Sequence, residues 1–182
     1  MAREQLFVAS KVAAEHKTYE EAMAGIDKTL ETMGLDYLDL MIIHSPQPWD
    51  KVEGNRAAWR ALEDAYKAGI LKAIGISNFQ IGDIESLVKT SKIKLMVNQI
   101  LLHISNTPLE LVEYCQKNGI TVEAYSPIAH GEILKQPEIK AIADKYGVTV
   151  AQLCIRYTIQ LGTVSLPKTA NPEHMKSNSQ VD

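Results

Sequence analysis

The chain has 182 residues, of which 46% are hydrophobic and 23% are charged, and its formal net charge is -3. This composition is typical of a globular domain with a sizeable core. A slightly acidic chain is not expected to bind nucleic acid or anionic lipid. Its apolar runs are far shorter than the ~20 residues of a membrane span. The N-terminus has no signal-peptide pattern, and Cys115 and Cys154 lie on apolar helix faces. We therefore expect a cytoplasmic protein with two buried, reduced thiols.

Short apolar stretches alternate with amphipathic patterns along the chain. The predicted strands are, in chain order, 6–9, 38–43, 73–76, 96–99, 121–125 and 164–166. Apolar residues at helical spacing follow each of the first five strands. Capping boxes are predicted at Thr18 and Thr149, and Thr107 with Glu110 indicates a third. Near-continuous apolar strands separated by such helices predict an α/β fold with a parallel sheet covered by helices.

A polar residue stands at, or just after, the end of every predicted strand. These residues are Lys11, His44, Ser77, Gln99, Tyr125 and Lys168. They recur at intervals of roughly 30 residues, the length of one strand-plus-helix unit. Because parallel α/β proteins build their sites at the carboxyl ends of strands, the repetition predicts that all six line one active site.

Five motifs in a fixed order point to a family. They are Leu35–Leu40 followed by His44, Gly75–Phe79, Asn98–Gln99, Ala124–Pro127 and Leu166–Thr169. Together they resemble the aldo-keto reductases, and the resemblance extends from about Leu6 to Asn178. It implies a (β/α)8 TIM-barrel type that reduces aldehydes or ketones to alcohols by hydride transfer. The implied cofactor is NADP(H), with NAD(H) tolerated, and the implied partner is a small carbonyl compound.

The resemblance assigns Lys11 and His44 to catalysis. Lys11 would be buried beside an acid and would lower the pKa of a tyrosine, whereas His44 would orient the substrate carbonyl and help to pass a proton. A surface lysine and a structural histidine are the competing interpretations. Trp49 matches an aromatic residue that often lines the family's substrate pocket, with a loop anchor as the alternative. His103 and His130 lie in loops on the same predicted face, where either could contact substrate.

The resemblance assigns nine residues to cofactor binding. They are Ser77, Asn78, Gln99, Tyr125, Ser126, Lys168, Thr169, His174 and Asn178. The first three would hydrogen-bond the nicotinamide carboxamide, and Tyr125 would stack on the ring. Strand-end caps and a core tyrosine are the alternatives.

The C-terminal residues bear on the choice between the two dinucleotides. Lys168 and Thr169 would contact the adenosine 2'-phosphate, which favours NADP. The family usually places an arginine where this chain has His174. A neutral imidazole binds phosphate less well than a guanidinium, so we expect a reduced NADP preference. Asn178 would contact the adenine.

A complete (β/α)8 barrel usually needs about 250 residues. We therefore expect an incomplete barrel with about six of the eight units, forming one domain over residues 1–182 without the first two units and the C-terminal segment. The absent units would hold the family's catalytic aspartate and proton-donating tyrosine. Open sheet edges would then make self-association possible. The alternative function is a non-catalytic dinucleotide-binding or scaffold protein derived from this family.

Overall fold

The computed structural model describes residues 2–16, 18–46 and 52–181. The chain divides into two compact units. The first extends to Asn98 and includes Lys117–Ile120, and the second contains Gln99–Gln116 and the chain from Thr121 onward. The assignment of one domain to the whole chain stays a prediction.

The first unit is built from strands that alternate with helices. Its elements are β1 (Ala9–Val12), α1 (Tyr19–Met33), β2 (Leu40–Ile43), α2 (Glu53–Lys67), β3 (Ile74–Ser77), α3 (Ile81–Val88) and the start of β4 (Val97–Leu101). β1 pairs with β2, and β2 with β3, both in parallel. Every residue of β2 and β3 is buried, because helices cover the sheet.

Local sequence signals define the ends of α1 as expected. The Thr18 side chain accepts a hydrogen bond from Glu21 N at 3.1 Å, and Thr18 N donates to Glu21 Oε2 at 3.1 Å. This reciprocal pair satisfies amide groups that the first turn leaves without helical partners. Gly34 ends the helix in the left-handed conformation, with φ of 61°. The predicted capping box at Thr18 is therefore confirmed.

Asp39 explains why a charged residue interrupts the apolar stretch before His44. Its carboxylate accepts hydrogen bonds from Val8 N and from Arg3 Nη2, both at 2.8 Å. The Arg3 guanidinium also lies 4.0 Å from the centre of the Tyr37 ring. The hydrogen bond from Val8, followed by the contact with Arg3, holds the pKa of Asp39 below its ordinary value. Asp39 thus anchors the N-terminal segment beside β2.

A second carboxylate connects α2 with the segment that leads into β4. Glu63 is only 2% exposed. Its Oε1 accepts hydrogen bonds from Trp59 Nε1 at 3.0 Å, from Ile93 N at 2.8 Å and from Lys92 N. Three donors replace the water that the carboxylate loses on burial, which makes this charge tolerable inside the unit.

The second unit continues the alternation of strands and helices. Its elements are the end of β4, α4 (Leu109–Lys117, whose last residue belongs to the first unit), β5 (Thr121–Tyr125), a 3-10 segment (Ala129–Lys135), α5 (Pro137–Tyr146), α6 (Val150–Gln160), β6 (Val164–Leu166) and α7 (Pro172–Asn178). β5 and β6 pair in parallel. The predicted capping box at Thr149 is confirmed, since Thr149 accepts from Gln152 N at 3.1 Å.

In the first unit the strands follow one another in chain order, β1-β2-β3 and then the start of β4, and in the second unit the end of β4 is followed by β5 and β6. The predicted α/β alternation with parallel strands is confirmed. β1, however, begins three residues later than expected and contains Lys11, while Phe7 is 70% exposed. Near α4, the Thr107 hydroxyl donates to His103 O at 3.0 Å and lies 2.7 Å from the Tyr157 hydroxyl. The contact with Tyr157 is tertiary, whereas His103 is only four residues away. The predicted cap at Thr107 stays a prediction.

Within the described part of the chain, no helix combines the length and the apolar character that crossing a membrane requires.

Substituting Asp39→Asn tests the anchor at the start of β2. We expect the variant to unfold at a lower urea concentration than the wild type at pH 7. A carboxyl whose folded-state pKa is lowered stabilises the fold above its unfolded-state pKa and loses that effect as the pH falls through the folded value. The gap between wild type and variant should therefore shrink as the pH is lowered from 7 to about 3. Asp36→Asn, at an exposed position of the same motif, should behave like the wild type. A gap that is independent of pH would contradict the assignment.

Candidate functional site

In the first unit, the predicted catalytic residues lie at the ends of neighbouring strands. Lys11 is the third residue of β1, and His44 follows β2 directly. His44 N donates to Val12 O at 3.1 Å, which extends the pairing of the two strands by one residue. Both side chains are exposed, so Lys11 is not buried as the resemblance implied. Their catalytic roles stay predictions.

Asn78 connects the end of β3 with the end of β2. Its backbone is left-handed, with φ of 61°, a conformation that asparagine adopts more readily than most residues. The side-chain nitrogen Nδ2 donates to His44 O and to Ser77 Oγ, both at 3.1 Å. The Asn78 amide thereby fixes the backbone of the proposed catalytic histidine. Cofactor binding by Ser77 and Asn78 stays a prediction.

In the second unit, Gln99 of β4 has a partner that the sequence reasoning missed. Gln99 Nε2 donates to Glu123 Oε2 on β5 at 2.7 Å. Gln99 is 6% exposed and Glu123 is 8% exposed. Glu123 is an acidic residue inside the apolar stretch 121–125, and this position was the signal that it has a buried partner. Its partner is 24 positions away in the sequence, so no local pattern connects the two.

A cavity of about 610 Å³ lies within the second unit. Its lining includes five residues predicted to bind cofactor, namely Ser126, Lys168, Thr169, His174 and Asn178. Gln99 and Tyr125 are not part of this lining. The volume is within the range of about 300–1,000 Å³ that is typical of small-molecule sites. The structure thus brings the end of β5 and the segment after β6 together around one cavity.

The charge of the cavity favours an anionic ligand. Lys168 contributes an ammonium group, and His130 and His174 contribute imidazoles. None of the described residues that line the cavity is acidic. The first turn of α6 also forms part of the wall, and the amino end of a helix carries partial positive charge. A phosphate group is the kind of ligand that this combination suits.

The segment after β5 has an unusual backbone where it borders the cavity. Ser126, Ala129 and His130 have φ angles of 53°, 45° and 53°. Each non-glycine residue in such a conformation costs on the order of 1 kcal/mol, and strain of this kind is concentrated at ligand sites. The His130 ring nitrogen Nε2 lies 3.3 Å from Ser126 Oγ. This segment therefore presents Ser126 and His130 together on the cavity wall.

Helix α7 and the turn before it carry further polar groups of the cavity lining. Asn171 N donates to Thr169 Oγ1 at 3.1 Å, and the Asn171 side chain accepts from Glu173 N at 2.9 Å. Asn171 therefore caps α7 and positions the Thr169 hydroxyl. His174 and Asn178 are four residues apart, so they lie on one face of the helix and both reach the cavity.

The other residues singled out in the sequence have separate positions. His103 does not line the cavity; its Nδ1 accepts from Ser105 N at 3.3 Å. Desolvation, followed by the charge of His130, lowers the pKa of His103. Trp49 lies outside the described residues. Cys115 and Cys154 are both free and buried, and desolvation raises the pKa of Cys154 to about 11.

Proteins whose family is known are similar to this chain over its whole length. Glyoxal reductase of Bacillus subtilis is 41% identical over 181 residues, which cover 100% of this chain and 64% of that protein. An aldo-keto reductase from a deep-sea metagenome library has a solved structure with a TM-score of 0.93 and 34% identity, covering 100% of this chain and 67% of that one. The Bombyx mori aldo-keto reductase AKR2E4, solved in complex with NADP, has a TM-score of 0.89 and 32% identity, covering 100% and 64%.

This chain therefore spans less than two thirds of the length of the curated relatives it matches. The prediction of an α/β fold of the aldo-keto reductase barrel type is confirmed by the solved structures. The model of the aldo/keto reductase family matches residues 1–181. The chain belongs to the aldo/keto reductase family.

Proposed function

We propose that the protein reduces small aldehydes or ketones to alcohols with NADPH as the hydride donor. The observation that carries this proposal is the cavity of about 610 Å³, whose lining joins five residues predicted for cofactor binding. Relatives named as a glyoxal reductase and as a prostaglandin H2 reductase support a reductive reaction. The buried free cysteines support a reducing compartment, the cytoplasm.

The residues of the cavity fit the phosphorylated end of NADP(H). Lys168 and Thr169 would hold the adenosine 2'-phosphate through one cation and one hydroxyl, with His174 beside them. The absence of acidic groups from the described lining removes the repulsion that would oppose a dianion. Ser126 and Asn178 would contact other polar atoms of the dinucleotide. When bound, the cofactor supplies the hydride that the reaction requires.

Two residues of the second unit that lie outside the cavity lining would contribute to holding the nicotinamide end. The Gln99 amide, fixed by Glu123, would hydrogen-bond the carboxamide, and Tyr125 would stack on the ring. Tyr125 is half-buried and so is not enclosed in the core.

His44 and Lys11 would act on the carbonyl group. His44 would orient the carbonyl oxygen and pass to it the proton that completes the alcohol when the hydride is transferred, and Lys11 would add a nearby cation that stabilises the developing negative charge. The hydrogen bonds that fix the His44 backbone to β1 and to Asn78 support a positioned imidazole. If His44 and Lys11 do not act in this way, the alternative is a protein that binds the dinucleotide without catalysing hydride transfer from it.

Aldehyde-dependent oxidation of NADPH tests the proposed function. We expect His44→Ala to lower kcat by about 10²–10⁴-fold, the usual contribution of a positioned acid or base. His16→Ala, which changes a loop histidine of the same unit, should leave kcat unchanged. Saturable NADPH binding without any aldehyde-dependent oxidation would favour the non-catalytic alternative.

Lys168→Met tests the phosphate contact. Removing the ammonium should raise the Kd for NADPH about tenfold, the loss of one charge-assisted contact, and should leave the Kd for NADH nearly unchanged. Lys176→Met is the matched control, because it removes the same charge from α7 at an exposed position outside the cavity. An equal rise in the Kd for NADPH and for NADH would mean that Lys168 does not contact the 2'-phosphate. Fluorescence titration of the reduced nicotinamide measures both constants.

His174→Arg tests the departure from the family pattern. A guanidinium can form two parallel hydrogen bonds with a phosphate, so NADPH binding should tighten by about 1–3 kcal/mol while NADH binding stays nearly the same. Calorimetric titration with each dinucleotide gives the two free energies. A similar gain for NADPH and NADH would mean that this position does not face the 2'-phosphate.

A further inference from the structure

Gln99 and Glu123 form a buried pair of polar side chains in the second unit. Gln99 Nε2 lies 2.7 Å from Glu123 Oε2, and both residues are less than a tenth exposed. Neighbouring strands carry the two side chains, since β4 and β5 are adjacent in the sheet. Packing and pairing therefore hold both groups in place.

The chemistry of the two groups determines how the Gln99 amide is oriented. A carboxylate only accepts hydrogen bonds, whereas a glutamine amide has a donor end and an acceptor end. Glu123 therefore selects the orientation in which Nε2 of Gln99 faces the carboxylate. The carbonyl oxygen Oε1 must then face away from Glu123. With a neutral partner such as glutamine at position 123, both orientations could form a hydrogen bond, and the preference would be lost.

This selection matters for a ligand that carries a carboxamide. A carboxamide also has a donor end and an acceptor end. The only side-chain atom of Gln99 that can accept a hydrogen bond from the ligand's N–H is Oε1. A carbonyl oxygen has two lone pairs and can accept more than one hydrogen bond.

We propose that Glu123 is a positioning residue, which holds the Gln99 amide so that Oε1 accepts a hydrogen bond from the carboxamide N–H of the nicotinamide. The inference rests on the proposed function, because it assumes that the protein binds NADPH. Glu123 does not touch the cofactor in this arrangement; it acts through Gln99. It thereby determines a preference for carboxamide over groups of similar shape that lack N–H donors.

A comparison of two reduced dinucleotides tests the proposal. The probes are NADPH and its 3-acetylpyridine analogue, in which a methyl ketone replaces the carboxamide and removes the N–H donors. We expect the wild type to bind NADPH about fivefold more tightly than the analogue, the worth of one neutral hydrogen bond. In Glu123→Gln this ratio should fall below about twofold, because the Gln99 amide is no longer held in one orientation.

Exchange of the two residues provides the rescue. In the double variant Gln99→Glu with Glu123→Gln, a carboxylate at position 99 accepts in every orientation, so the wild-type ratio should return. Thr163→Val is the matched control. It removes another buried hydrogen bond of the second unit, from Thr163 Oγ1 to Thr158 O at 2.7 Å, without touching Gln99. This control should lower stability and leave the ratio unchanged.

The possible results separate the inference from the proposed function. No binding of either dinucleotide by folded wild-type protein would overturn the proposed function itself. NADPH binding with a wild-type ratio near one, or a Glu123→Gln variant with the full wild-type ratio, would overturn the role of Glu123 alone. If Glu123 had only a structural role, Glu123→Gln would weaken the binding of NADPH and of the analogue equally.

A measurement on the wild type keeps the test decisive if Glu123→Gln does not fold. The Gln99 side-chain amide proton that Glu123 accepts should exchange slowly with solvent in an NMR spectrum of the wild type, because it is bonded to a buried carboxylate. Rapid exchange would show that the contact does not persist in solution and would overturn the inference.

Discussion

Parallel pairing with fixed register is the constraint on which the rest of the molecule depends. In the first unit, Lys11 lies opposite Ile42 and Val12 opposite Ile43, so β1 and β2 end at nearly the same level. His44 N extends this ladder by donating to Val12 O. Because side chains alternate between the faces of a sheet, a shift of register by one residue would turn each of these side chains to the opposite face. The polar groups at the strand ends owe their positions to the apolar residues buried along the strands.

Buried polar contacts then fix the segments and side chains that strand pairing brings close together. Glu63, Asp39 and Glu123 are carboxylates in or beside the core, and each accepts hydrogen bonds from groups distant in the sequence. Leaving such a group without its partner costs about 1–3 kcal/mol, so these contacts favour one arrangement of the segments over others. Glu63 holds the segment before β4, Asp39 holds the segment before β1, and Glu123 orients an amide. The same physical interaction therefore serves both the fold and, through Glu123, the proposed recognition of the nicotinamide.

The cavity of the second unit combines strain with charge. The left-handed backbone conformations after β5 persist because β5 and the following helices fix both ends of the segment. Across the cavity, Lys168, Thr169 and His174 provide donors for an anion without a competing carboxylate in the described lining. An imidazole at position 174 is a weaker phosphate donor than a guanidinium, so under the proposed function the choice between the two dinucleotides would depend chiefly on Lys168 and Thr169.

The sequence by itself determined the features that depend on nearby residues. The spacing of apolar residues predicted the order of strands and helices, the reciprocal pairs at Thr18 and Thr149 predicted two helix starts, and five short motifs indicated the family. Only the tertiary structure decided which distant residues meet: Glu123 with Gln99, Asp39 with Arg3, and Ser126 with the segment 166–178 around one cavity. It also decided that Thr107 meets Tyr157 and that β1 begins at Ala9. Capping and periodicity are local interactions and can be read from a few neighbouring residues, whereas these contacts form only when packing brings separate elements together.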